Sequence, residues 1–114
     1  MLKWDTALGA INKIEKCELN DEANKDLKKE LYQSAIKYAR IRTDWYLLSL
    51  KDRAEMESSR TRAHDSFIDC CNALSRHMQK SDLDNSWRKQ IGSDRRDIGD
   101  FACYIHAWLG LKAR

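Results

Sequence analysis

The sequence predicts an all-α fold: a compact antiparallel bundle of four main helices plus one short helix, in a single domain over residues 1–114. Three observations predict it. The chain contains no proline, where average usage would place roughly six in this length. It has only four glycines, at positions 9, 92, 99 and 110. Sheets and long loops depend on the turn chemistry of these two residue types, so a chain poor in both is built from helices. Finally, apolar residues recur at spacings of three and four through most of the sequence, the period of a helix with one buried face. The intervals between these segments are short, which favours antiparallel neighbours.

The first helix is expected from about residue 3 to residue 17, where Trp4, Leu8, Ile11 and Ile14 share a face. Residues 19–22 read as a stop and restart. Asn20 can cap the next helix, and Asp21 and Glu22 sit well at the positive end of its dipole. The second helix is expected from residue 21 to about residue 48. Leu27, Leu31, Ala35 and Tyr38 make its first half amphipathic. Ile36, Ala39, Ile41, Trp45, Tyr46, Leu47 and Leu48 leave its second half apolar nearly all round, which predicts a central element surrounded by others.

Ser49 followed by Asp52 is a capping-box-like restart, with Asp where Glu or Gln is usual. A third helix is expected over about residues 50–78. Met56, Arg60, Ala63, Phe67, Cys71, Leu74 and Met78 form its seam, suited to packing along a neighbour at a shallow angle. Residues 81–86 are a polar connection. A short helix over residues 86–91 is anchored by Trp87 and Ile91 and stopped by Gly92. Asp94 can cap the last helix, expected to run to about Leu109 with Ile98, Phe101, Ala102, Ile105 and Trp108 on one stripe. Gly99 inside that helix costs about 1 kcal/mol relative to alanine. Close approach by another backbone is the expected reason for it. Gly110, with Lys112 and Arg114 beyond it, fits a helix C-terminus.

Charge is nearly balanced. The first fifty residues carry nine Lys/Arg and eight Asp/Glu, the remainder twelve and ten, for a net charge of +3. A dedicated DNA-binding domain usually shows a clear basic stripe, which is absent here. No apolar run approaches the roughly 20 residues of a membrane helix, and residues 1–5 lack the apolar core of a signal peptide. A cytoplasmic protein with no membrane partner is the expectation. Cys17, Cys70, Cys71 and Cys103 then read as free thiols, buried or half-buried.

Arg60 lies on the apolar seam of the third helix with His64 one turn on, and Asp97 and Asp100 flank the apolar face of the last helix. Arginine keeps its charge, and burying it unpaired is expensive. An ion pair between Arg60 and one of these aspartates that fixes helix register is therefore expected. The alternatives are a polar pocket for an anionic or peptide ligand and an Arg60 that reaches solvent along its aliphatic stem. Arg60 and His64 invite comparison with helical ribonucleases of the HEPN class, whose arginine and histidine have four to six residues between them. Only three residues intervene here, so that motif is not met. His64, Cys71, Cys103 and His106 could surround zinc only if their two helix faces met, and their spacing matches no zinc finger. No Gly-rich phosphate cradle and no strand-to-helix elbow for a nucleophile is present, so neither a catalytic residue nor a cofactor is expected. Three basic clusters remain for nucleic acid: Lys37, Arg40 and Arg42; Arg53, Arg60 and Arg62; and Arg88, Lys89, Arg95 and Arg96. Acids interleave all three, the pattern of a solvated helical surface.

The run Arg95-Arg96-Asp97-Ile98-Gly99-Asp100-Phe101-Ala102-Cys103-Tyr104, with residues 63–68 and Trp87-Arg88, resembles small uncharacterised all-helical proteins of Gram-positive bacteria and their mobile elements. The likeness covers about the second half of the chain and implies a helical fold and a bacterial cytoplasmic setting, with no activity attached. Four Trp and four Tyr exceed what one small core obviously needs, and aromatics are favoured anchors at interfaces. The function expected is therefore non-enzymatic: binding a protein partner or a second copy in an accessory or regulatory role. Trp4 and Trp108, the latter with Leu109 and Leu111, are the expected dimer patch. A nucleic-acid-binding accessory protein is the alternative.

Overall fold

A computed structural model describes residues 1–17 and 22–113, and every regular element among them is helical. These are α1 (Trp4–Glu15), α2 (Glu22–Trp45), α3 (Leu50–Lys80), α4 (Trp87–Ile91) and α5 (Arg95–Lys112). The expected Asn20 cap and the start of α2 at Asp21 lie outside the described residues. Among the described residues, no helix is long and apolar enough to cross a membrane.

The local signals act as their chemistry requires. The Ser49 hydroxyl accepts from the Asp52 amide at 3.2 Å and starts α3. The Asp94 carboxylate accepts from the Arg96 and Asp97 amides at 2.8 and 3.4 Å and starts α5. Gly92 ends α4 with φ of 73°, a conformation that only glycine adopts without strain. Gly110, by contrast, does not stop α5, which continues to Lys112. A glycine there costs about 1 kcal/mol, and Lys112 anchors the last turn through Glu15 at 3.1 Å.

α2 packs along both α3 and α5, while α1 lies against α4 and α5. Ile11, Ile14, Leu31, Phe67, Leu74, Trp87, Phe101 and Ile105 are fully buried between them. Each such side chain contributes about 1.5–3 kcal/mol through removal from water. A chain of rings threads this core: Tyr38 to Phe67 at 6.4 Å, Phe67 to Phe101 at 6.1 Å, and Phe101 to Trp87 at 6.4 Å. The Trp87 indole N–H, which needs a partner once buried, donates to Met78 Sδ at 3.3 Å.

The core does not extend the full length of α3. At about 1.5 Å per residue, its 31 residues span about 46 Å, and the longest dimension of the molecule is 47 Å. The seam is buried from Ala63 to Met78, whereas Met56 is exposed and Arg60 half-buried. The second half of α2 likewise is not enclosed: Ile36, Ile41 and Trp45 are half-buried, and Tyr46 and Leu47 are exposed. The cause is the starting point of α5. Arg95, its first residue, donates to Thr61 Oγ1 at 3.4 Å. Beyond Thr61, the first turns of α3 have the end of α2 as their helical neighbour.

Candidate functional site

The projecting end of the α2–α3 pair carries two features that the core does not use. One is a turn. Tyr46, Leu47 and Leu50 are 70%, 83% and 82% exposed, within five residues of chain. The turn itself is held firmly. Arg53 donates through Nε to the Trp45 carbonyl at 2.9 Å and through Nη2 to the Tyr46 carbonyl at 3.4 Å. Its guanidinium also faces the Trp45 ring, 5.9 Å from the centroid.

The other feature is a groove of about 470 Å³ beside that turn. Tyr38 and Arg42 enter it from α2, Tyr46 from the turn, Arg60 from α3, and Asp94, Arg95 and Arg96 from the start of α5. Each of the three basic clusters thus sends at least one arginine to the same place. Lys37 and Arg62 face a separate groove of about 540 Å³ with Ser34, Ser59 and Met56.

Two of these arginines are fixed in position. Arg42 pairs with Asp100 at 2.9 Å and donates to Cys103 Sγ at 3.6 Å. A Cβ added to Gly99 would lie 2.9 Å from both Arg42 Cζ and Nε. The close approach that the glycine permits is therefore by a guanidinium rather than by a backbone. Arg60 lies over the Trp45 ring with its Cζ 4.6 Å from the centroid, and its buried Nε has no hydrogen-bond partner. Tyr38 is buried with no hydrogen bond at its hydroxyl among the described residues. Burial raises its pKa above the ordinary value, while nearby Arg60, Arg42 and Arg95 pull in the opposite direction.

The expected pairing of Arg60 with Asp97 or Asp100 is corrected on both counts. Asp100 is taken by Arg42, and Asp97 faces the N-terminal ammonium at 3.8 Å. Arg60 instead spends its charge on the face of Trp45, a cation–π contact that leaves its outer nitrogens to the groove. His64 is buried, with Nδ1 3.0 Å from Asp65 Oδ1 and its ring edge-on to Tyr38 at 5.5 Å. It does not line the groove. Trp4 and Trp108 are half-buried rather than exposed. Trp4 packs on Tyr104 at 5.4 Å, and Trp108 packs on Tyr32 at 6.0 Å with Lys112 over its ring.

The cysteines are free thiols, with Cys17 and Cys71 buried and Cys70 and Cys103 half-buried. Burial pushes the Cys71 thiol far above its ordinary range, so this sulfur stays protonated. Among the described residues, no group of three or more potential metal ligands comes together.

Sequence reasoning named Arg60 but missed Arg42, Arg95 and Arg96 as its neighbours. One signal was present: two arginines in the first turn of a helix oppose its dipole. The chain matches no protein family, no curated protein and no solved structure.

Proposed function

We propose that this chain is a non-enzymatic binding protein of the bacterial cytoplasm, an antiparallel helical bundle that docks a protein partner or a second copy of itself through the α2–α3 turn. The exposure of Tyr46, Leu47 and Leu50 carries this reading. Single apolar residues on a surface are ordinary, but three large exposed side chains gathered in one short turn favour an interaction site. A free loop would lose conformational entropy on binding. The Ser49 cap and the Arg53 bonds have already fixed this one, and preorganisation strengthens association by reducing that cost. Trp4 and Trp108 offer less, since their rings are engaged within the molecule.

A photo-reactive amino acid placed at Leu47 and, as a control, at exposed Ala107 tests this reading in the producing cell. Docking through the turn predicts one discrete adduct from position 47, with a host protein or with the chain itself, and none from position 107. Equal yields from both positions, or none from either, overturn it.

A further inference from the structure

We propose that the groove between the α2–α3 turn and the first turn of α5 binds the phosphate backbone of single-stranded nucleic acid, with the exposed Tyr46 ring as a stacking platform. This goes beyond docking through Leu47 and Leu50 and, apart from Tyr46, rests on different side chains. Four arginines line the groove, while Asp94 and the Asp100 that holds Arg42 are the acids beside them. Two positive charges are left without balance. Asp94 is itself occupied, accepting from two amides at the start of α5.

The placement of Arg95 and Arg96 is costly. Cations in the first turn of a helix meet its positive end, where acids are favoured. A surface shaped only by stability would not put two there, beside Arg60 and Arg42. All four cations are arginine rather than lysine, which suits oxyanions because the planar guanidinium bonds two phosphate oxygens at once. Arg60 is held on Trp45 and Arg42 on Asp100 before any ligand arrives. A buried Nε without a partner costs about 1–3 kcal/mol, so holding Arg60 there works against stability and in favour of a fixed charge. The Tyr38 hydroxyl, unpartnered on the groove wall, adds a neutral donor.

The chemistry favours a single strand. Tyr46 presents an aromatic face beside the guanidiniums, and an unpaired base can stack on it whereas a base inside a duplex cannot. Alternation of a charged groove with exposed aromatics is the arrangement by which single strands are held without reading sequence.

Fluorescence anisotropy of a labelled oligothymidylate of about a dozen residues tests the proposal, alongside an oligouridylate, a duplex and an oligoglutamate of similar length. The single strands should bind at low salt and weaken as salt rises. Three arginines free of ion pairs predict a log–log slope of about −2, at about −0.7 for each phosphate neutralised. Replacing Arg95→Glu and Arg96→Glu together should weaken binding by at least about tenfold and flatten the slope. Both residues are exposed, so circular dichroism should show an unchanged fold. Tyr46→Ala should weaken binding with the slope retained, and Tyr46→Trp should restore it. No binding at any salt, an unaltered affinity in the double arginine variant, or equal binding of duplex or oligoglutamate would overturn the proposal.

Discussion

At the scale of single residues, Gly99, Arg42 and Asp100 form a close polar contact between α2 and α5. Alanine at position 99 would gain about 1 kcal/mol of helix propensity. It would also press its Cβ against a guanidinium that Asp100 and Cys103 hold in place. We expect the second effect to win, with Gly99→Ala losing about 1–2 kcal/mol, because displacing one member of a largely buried ion pair exposes the full desolvation cost of the other. In an Arg42→Ala background the same substitution should become stabilising, by up to about 1 kcal/mol. Urea unfolding of the four proteins in this cycle measures the coupling directly, and additive effects would contradict the contact. Glycine inside a helical pattern announced a close approach in the sequence. What approached was not legible, because Arg42 reads in the sequence as one of a basic cluster with Lys37 and Arg40 and gave no sign of its partner.

Glu15 links elements in the same way. Its carboxylate accepts from the Tyr32 hydroxyl at 2.6 Å and meets Lys28 at 3.3 Å and Lys112 at 3.1 Å, joining α1 to α2 and α5. Partial burial pushes its pKa up, but the bonds from Tyr32 and Lys112, with the charge of Lys28, together hold it below the ordinary 4.5. A folded-state value below the unfolded one means stabilisation that is present above about pH 4.5 and lost as pH falls through the folded value. Glu15→Gln should therefore lower stability by about 1 kcal/mol at neutral pH, and the gap to the parent should close as pH falls below the ordinary carboxylate range. A gap that persists unchanged in acid would show that the charge is not the cause.

α3 is one helix with two environments. Phe67→Ala in its buried half should cost about 3–5 kcal/mol, whereas Met56→Ala in its projecting half should cost under about 0.5 kcal/mol. Amides before Thr61 should also exchange with solvent faster than those between Phe67 and Met78, which lie in the core. The caps at Ser49 and Asp94 and the stop at Gly92 were legible in the sequence because they depend on a few adjacent residues. The exposure of Met56 and Leu47 was not, because periodicity identifies an apolar face without saying whether another helix reaches it. The turn did carry a sign: Tyr46, Leu47, Leu48 and Leu50 fall where the chain reverses, and a residue at such a tip has few neighbours to bury it.

Seen whole, the molecule divides its tasks along its length. The radius of gyration is 14.4 Å, against about 13 Å for a compact chain of this size. The excess reflects the α2–α3 pair projecting from a body that holds the aromatic core. Absence of proline and scarcity of glycine indicated the helical class at this scale. The gathering of four arginines at one end could not be read, since it depends on where α5 begins relative to α3. Stability thus resides in the body, and the surfaces proposed for binding lie at the projecting end.

That division is tested most directly by the unfolding free energy of the double variant Leu47→Ser and Leu50→Ser. If these leucines serve binding, the free chain should keep its stability within about 0.5 kcal/mol of the parent, as surface substitutions do. A loss of several kcal/mol, the signature of emptied core positions, would contradict the account.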